Sequence, residues 1–211
     1  NPFIRHIVLR KRVTLEDAGL LPRIGVDVHP NKEFATDLHR FNTLFEGKAL
    51  RTSEDFREAY NEARYFGKAL AQSGKGSGFM KNLMEQRICS SIAACLNTTR
   101  MLLEGRTVKE ENDEQLIEIK AESSDEIAVL QRMIERLELI EEDPKLKAVV
   151  HYLENEKWLR FGVIIFSQYY DTAKWIADSL ADRYPDHAVG LYAGAGRSRL
   201  YQKSDSVNIE R

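Results

Sequence analysis

Cysteine, proline and tryptophan are scarce in this 211-residue chain, with two, five and two copies, and the scarcity is informative. Two cysteines cannot build a disulfide-dense scaffold. Cys89 and Cys95 lie six residues apart in a helical pattern, point to different sides, and are expected to be small apolar residues of the interior. The five histidines (His6, His29, His39, His151, His187) are scattered with no HxxxH or HExxH spacing, so metal chemistry is not expected. No apolar run approaches the roughly 20 residues that span a bilayer, and no charged-then-apolar leader is recognisable. A cytoplasmic protein without membrane contact is expected.

Apolar residues make up 43% and charged residues 30% of the chain, the balance of a folded domain with a real core. The net charge of −2 hides an asymmetry. Residues 1–103 carry 16 Lys/Arg against 11 Asp/Glu, 104–142 carry 5 against 13, and 143–211 carry 10 against 9. The first part can meet phosphate, whereas the acidic middle repels it and suits a basic protein partner.

The opening NPFIRHIVLRKR sets Arg5, Arg10, Lys11 and Arg12 beside an apolar stripe, and Thr14 with Asp17 suggests one capped turn. Ile24, Val26 and Val28 alternate as in a strand that Pro30 ends. From Asn31 the period turns helical, with Phe34, Leu38, Phe41, Leu44 and Phe45 on one face. Ser53 opens a second helix, SGKGSG at 73–78 breaks the pattern, and Met80 to Leu102 trace one long helix ending near Gly105. Residues 106–124 read as an exposed acidic linker. Ile127, Leu130, Ile134 and Leu137 mark a helix running to Glu142, and Pro144 opens the next at its first turn.

The stretch from Phe161 to Ala195 is the most informative. Gly162 to Phe166 is a continuous apolar run of the kind buried in a parallel sheet. An amphipathic helix follows, and Ala188 to Tyr192 reads as the returning strand. A strand, helix, strand unit of this length implies a right-handed crossover and a parallel pair.

ALAQSGKG at 69–76 fails as a phosphate loop: Ala69 stands at the first glycine position, Gly76 follows Lys75 where Ser or Thr is needed, and no buried strand precedes it. The strand ends are the better candidate, because ligands of open parallel sheets bind beyond the carboxyl ends of the strands. Ser167 and Gln168 close the first strand; Ala193, Gly194, Ala195, Gly196 and Arg197 follow the second, with Arg199 beyond. Glycines let backbone approach a phosphate and the arginines supply charge.

In their order along the chain, NPFIRHIVLRKR, RIGVDVHP, DPKLKAVVHYL, VIIFSQYYDTAKWIADSL and GLYAGAGRSR resemble the Swi/Snf family of helicase-like, ATP-dependent DNA translocases, its bacterial branch above all. VIIFSQYYDTAKWIA is similar to the family's motif IV strand and helix, and DPKLKAVVHYL to the helix leading into it. NPFIRHIVLRKR resembles the exit from the first RecA-like lobe, and RIGVDVHP the strand entering the second.

The resemblance implies a fragment: residues 1–30 as lobe exit and entering strand, 31–142 as a helical insertion, and 143–211 as a truncated second RecA-like lobe. The expected fold is helix-rich α/β, a partial parallel-sheet lobe with a large helical insertion. The resemblance puts the phosphate loop and Mg²⁺ box before Asn1 and the arginine fingers after Arg211, so the chain alone is expected to hold no cofactor and no activity. ATP and Mg²⁺ would belong to the parent, since metal, phosphate cradle and arginine finger act together.

By the same resemblance, Ser167 and Gln168 lie near the backbone of double-stranded DNA, with Gly194, Gly196 and Arg197 in the next loop. That loop reads A-G-A-G where D-G-S-T is more common in the family, so backbone N–H donation replaces a hydroxyl contact. Arg10, Lys11 and Arg12 would touch DNA or brace the lobes. The rival expectation is a non-enzymatic helical interaction module, its acidic helices recruiting a protein. A sheet left incomplete also predicts self-association through its exposed edge.

Overall fold

A computed structural model describes residues 12–22, 25–72, 82–106, 108–112, 115–194, 196–202 and 205–208; no side chain is described for residue 12, for 108–119 or from 202 onward. The molecule is helix-rich, and the described strands form three small sheets, all antiparallel.

After a short α1 (Arg12–Asp17) and a 3-10 turn (Lys32–Phe34), α2 (Leu38–Leu44) runs into a tight hairpin, β1 (Phe45–Glu46) and β2 (Ala49–Leu50). Gly47 makes its turn at φ +60°, a backbone state that costs glycine nothing. Asn31 caps the 3-10 turn through a 3.0 Å bond from the Glu33 amide, but the expected continuous helix from there is broken. The Asp37 carboxylate instead accepts the Arg40 N–H and starts α2 afresh. Phe34 and Leu38 are therefore exposed, while Phe41, Leu44 and Phe45 are buried.

Four helices build the main core. They are α3 (Glu54–Gln72), α4 (Leu83–Ser90), α5 (Ile92–Leu103) and α6 (Ser124–Glu138). Ser53 caps α3, and Ala59, Ala63, Phe66 and Leu70 recur at the spacing that lines one helix face. They meet Leu83, Met84 and Ile88 of α4, Cys95 and Leu102 of α5, and Leu130, Met133 and Leu137 of α6. Arg132–Glu62 (3.1 Å) and Arg136–Glu58 (2.7 Å) close the α3/α6 seam on its solvent side.

Four expectations are corrected here. The single helix from Met80 to Leu102 is two, because Ser91 leaves the helical conformation (φ −163°, ψ 157°) to cap α5. Residues 106–124 are no bare linker: β3 (Val108–Asn112) and β4 (Gln115–Ile119) pair antiparallel. α6 stops at Glu138, short of Glu142. Of the cysteines, Cys95 is buried as expected, its thiol pushed up to about 12 by burial, while Cys89 is exposed.

α7 (Pro144–Glu154) begins with Asp143 capping and Pro144 in its first turn, as the sequence indicates. It carries α2 and the hairpin on its other flank. Tyr152 packs near Phe45, and its ring lies 4.6 Å from Trp158 and 5.4 Å from His29. Thr36 clamps the same region, donating its N–H and its hydroxyl to Glu156 Oε1, each at 3.1 Å.

The α/β part departs most from expectation. Residues 162–166 form no strand, and α8 (Tyr170–Arg183) faces them across a cleft. β5 (Val189–Leu191) pairs antiparallel with β6 (Arg199–Gln202), which pairs with β7 (Asp205–Asn208). Among the described residues no parallel pair occurs. The other expected strand is unpaired too: residues 25–28 form none and Val26 and Val28 are exposed, while residues 23 and 24 lie outside the described set.

Candidate nucleic-acid interface

The sequence puts Ser167 and Gln168 about 25 residues from the glycine-rich loop, and the fold brings the two together at the first turn of α8. The Ser167 hydroxyl donates to the Tyr169 carbonyl (3.0 Å) and accepts the Tyr169 N–H (3.3 Å), folding residues 167–169 into a tight turn. Its proton is thereby used within the turn, so the hydroxyl can only accept from a further partner. Gln168 beside it is exposed.

Across from this turn, Ser198 closes the loop after β5. Its buried hydroxyl accepts the Ala193 N–H (3.1 Å) and donates to the Ala193 carbonyl (2.9 Å). Gly196 turns the chain at φ +71°, which a side chain would strain. The Arg197 N–H then bonds the Gly194 carbonyl at 3.3 Å. Gly194, Gly196 and Arg197 are exposed, and a Cβ at either glycine would meet open space, so a ligand can approach the backbone closely.

The Arg197 guanidinium lies over the Tyr170 ring, 4.3 Å from its centroid. This stack ties the loop to the first residue of α8. The Arg197 Nε–H donates to the Gly194 carbonyl at 3.5 Å, and a face-on contact leaves the terminal nitrogens at the guanidinium edge to donate. Added to the positive end of the α8 dipole, it makes a small, exposed, donor-rich corner suited to an anion. One acid, Asp171, is in the same turn, and its carboxylate accepts the Asn97 side-chain N–H at 3.0 Å.

Arg10 lies outside the described residues, and Arg12 opens α1 without a described side chain, so neither is assembled with this corner. Arg199 belongs to β6, beside Tyr201. Burial, with Asp178 close by, pushes the Tyr201 hydroxyl up to about 12. The sequence reading missed Tyr170. The aromatic pair Tyr169–Tyr170 directly after the candidate polar turn was the available signal. The failed phosphate-loop stretch reaches residues 73–76, outside the described set.

Behind the corner lies a cleft of about 540 Å³ between residues 162–167, α8 and β5, lined by Val163, Ile165, Ile176, Leu180 and Leu191 among others. Its walls are mostly apolar, with Ser167, Tyr184 and His187 among them. Among the described residues, no group of three or more His, Cys, Asp or Glu side chains could hold a metal ion, and no helix is long and apolar enough to cross a membrane. No protein-family model, curated protein or solved structure matches the chain.

Proposed function

We propose that this chain is the part of an ATP-driven double-stranded DNA translocase or helicase that grips the phosphate backbone and couples the two motor lobes. The observation that carries the reading is the Arg197–Tyr170 stack, which unites two sequence-distant, donor-bearing loops in one exposed corner. The exposed backbone at Gly194 and Gly196 and the Arg197 guanidinium supply the donors, and Gln168 is the polar side chain in the turn before α8. ATP and Mg²⁺ belong to the parent, and nucleotide-driven lobe closure moves this corner along the strand, a hinge-type change.

The extended segment supports the same reading. Exposure along it alternates: Val163 43%, Ile164 81%, Ile165 38%, Phe166 90%. A period of two is that of a strand, with Val163 and Ile165 the less exposed pair. A parallel RecA-like sheet, with a further layer over Ile164 and Phe166, is the arrangement that buries both faces.

The test is Arg197→Ala with a labelled duplex. Affinity should fall about equally for unrelated sequences, and the salt dependence should become shallower by about one counterion. Unchanged affinity and unchanged salt slope would remove the corner from the interface.

A second reading has its own observation. The main core draws its buried apolar residues from Ala59 to Leu137, and the stretch 104–142 carries 13 acidic residues against 5 basic ones. As an interaction module it would bind a basic protein tightly and show no salt-sensitive binding to DNA.

A further inference from the structure

The corner does not stand alone. The first turn of α8 is gripped from behind by the elbow between α4 and α5, through contacts unrelated to the loop. Thr172 Oγ1 is 2.7 Å from Ser90 Oγ and 2.8 Å from Ser91 Oγ, and both Ser91 (1% exposed) and Thr172 (4%) are buried. Ser91 also accepts the Ala94 N–H as the cap of α5. Asp143 joins the same junction: Oδ2 accepts the Ile92 N–H at 2.9 Å, while Oδ1 caps α7 through Lys145 N (2.8 Å). Three helix starts, those of α5, α7 and α8, therefore meet around one polar node; its hydrogen bonds supply partners for the N-terminal amides of α5 and α7 and hold α8 through the Thr172 hydroxyl.

Successive residues on a helix point about 100° apart, and the two tyrosines use that difference. Tyr169 turns inward: its hydroxyl donates to Gln86 Oε1 at 3.1 Å and the Arg87 guanidinium lies 4.1 Å from its ring centroid. Tyr170 carries Arg197. One ring is held by the helical insertion and its neighbour holds the loop.

We infer that the Ser90–Ser91–Thr172 hydroxyl node positions the Tyr170–Arg197 corner, so that the helical insertion sets the geometry of the phosphate grip; this rests on the phosphate reading of that corner. Thr172 is a positioning residue. It acts on the loop through α8, and no hydrogen bond or ring contact joins it to Arg197 directly.

The experiment compares wild type, Thr172→Val and Thr172→Ser in the full 211-residue chain, by amide hydrogen exchange and by duplex binding. Valine keeps the shape and removes the hydroxyl; serine restores it. In Thr172→Val, exchange at Ala193, Arg197 and Ser198 should quicken about tenfold, as local opening becomes easier. Amides of α3 and α6 should be unchanged, and serine should return the loop to wild-type rates. Wild-type exchange at those loop amides in a folded Thr172→Val would overturn the inference, whatever the duplex result.

If Thr172→Val does not fold, Ser90→Ala decides on the same amides: removing the half-buried hydroxyl of the node should quicken them about two- to threefold, and no change would overturn the node. Should wild type fail to bind duplex while exchange behaves as expected, the phosphate reading falls and the positioning stands. Loop exchange and duplex affinity changing together support both.

Discussion

His151 shows how a single residue can couple stability to pH. Its side chain is fully buried, with the Phe45 and Tyr152 rings at 6.2 and 5.3 Å and neither ring nitrogen hydrogen-bonded. Burial pulls its pKa below the ordinary histidine value, while the Glu156 carboxylate, 3.6 Å from Nε2, pulls the other way; Arg40 and Asp37 also face it. A histidine that resists protonation when folded accepts protons more readily when unfolded. Its contribution is thus complete above about pH 6.5, the unfolded value, and is lost as pH falls toward the folded one. Stability measured by urea denaturation should decline on acidification below that value, and His151→Gln should flatten that decline. An identical slope in the variant would exclude His151 as its source. In the sequence His151 was one of five scattered histidines, and only packing distinguishes it.

At the scale of elements, local chemistry and tertiary contact divide the work. α6 starts where its own sequence says: Ser123 accepts the Glu126 N–H at 3.1 Å and the Glu126 carboxylate returns to the Ser123 N–H at 3.1 Å. This reciprocal box satisfies two helix-end donors. Ser123→Ala should cost about 1 kcal/mol, read as a lower midpoint in urea, with α6 retained by its buried face; no shift would show that the box is dispensable. The α4/α5 break is different in kind. Nothing in the apolar periodicity from Leu83 to Leu102 announces it, since the stripe continues in phase through Ser91. The break is held by Asp143 and Thr172, which lie 52 and 81 residues further along. The stretch at 162–166 errs the other way: its composition specifies a strand, but a strand also needs neighbours to take its N–H and C=O groups.

For the molecule as a whole, where the stability resides can be tested by one contrast. Leu130 has no exposed surface and sits in the helical core; Ile164 is 81% exposed on the extended segment. Leu130→Ala should destabilise by about 2–5 kcal/mol through lost burial and the cavity left behind. Ile164→Ala should change stability by less than about 0.5 kcal/mol. Calorimetry of both variants measures this, and a large cost at Ile164 would mean that the 162–166 segment is covered in solution.

What the sequence determined by itself were the features whose causes are local. These are the apolar stripe of α3, the Leu130 and Leu137 part of the α6 stripe (Ile127 is exposed), the first-turn proline of α7, the turn-forming glycines at 105 and 196, and the uneven spread of charge. Each follows from a side chain acting within a turn or two of its own position. Only the tertiary structure decided what depends on distant partners. It parted α4 from α5, folded Ser167 into a turn with Tyr169, stacked Arg197 on Tyr170, and left residues 162–166 without a strand partner. The physical reason is that hydrogen bonds and ring contacts between residues far apart in sequence have no periodicity to read, and exist only once the chain has brought the groups together.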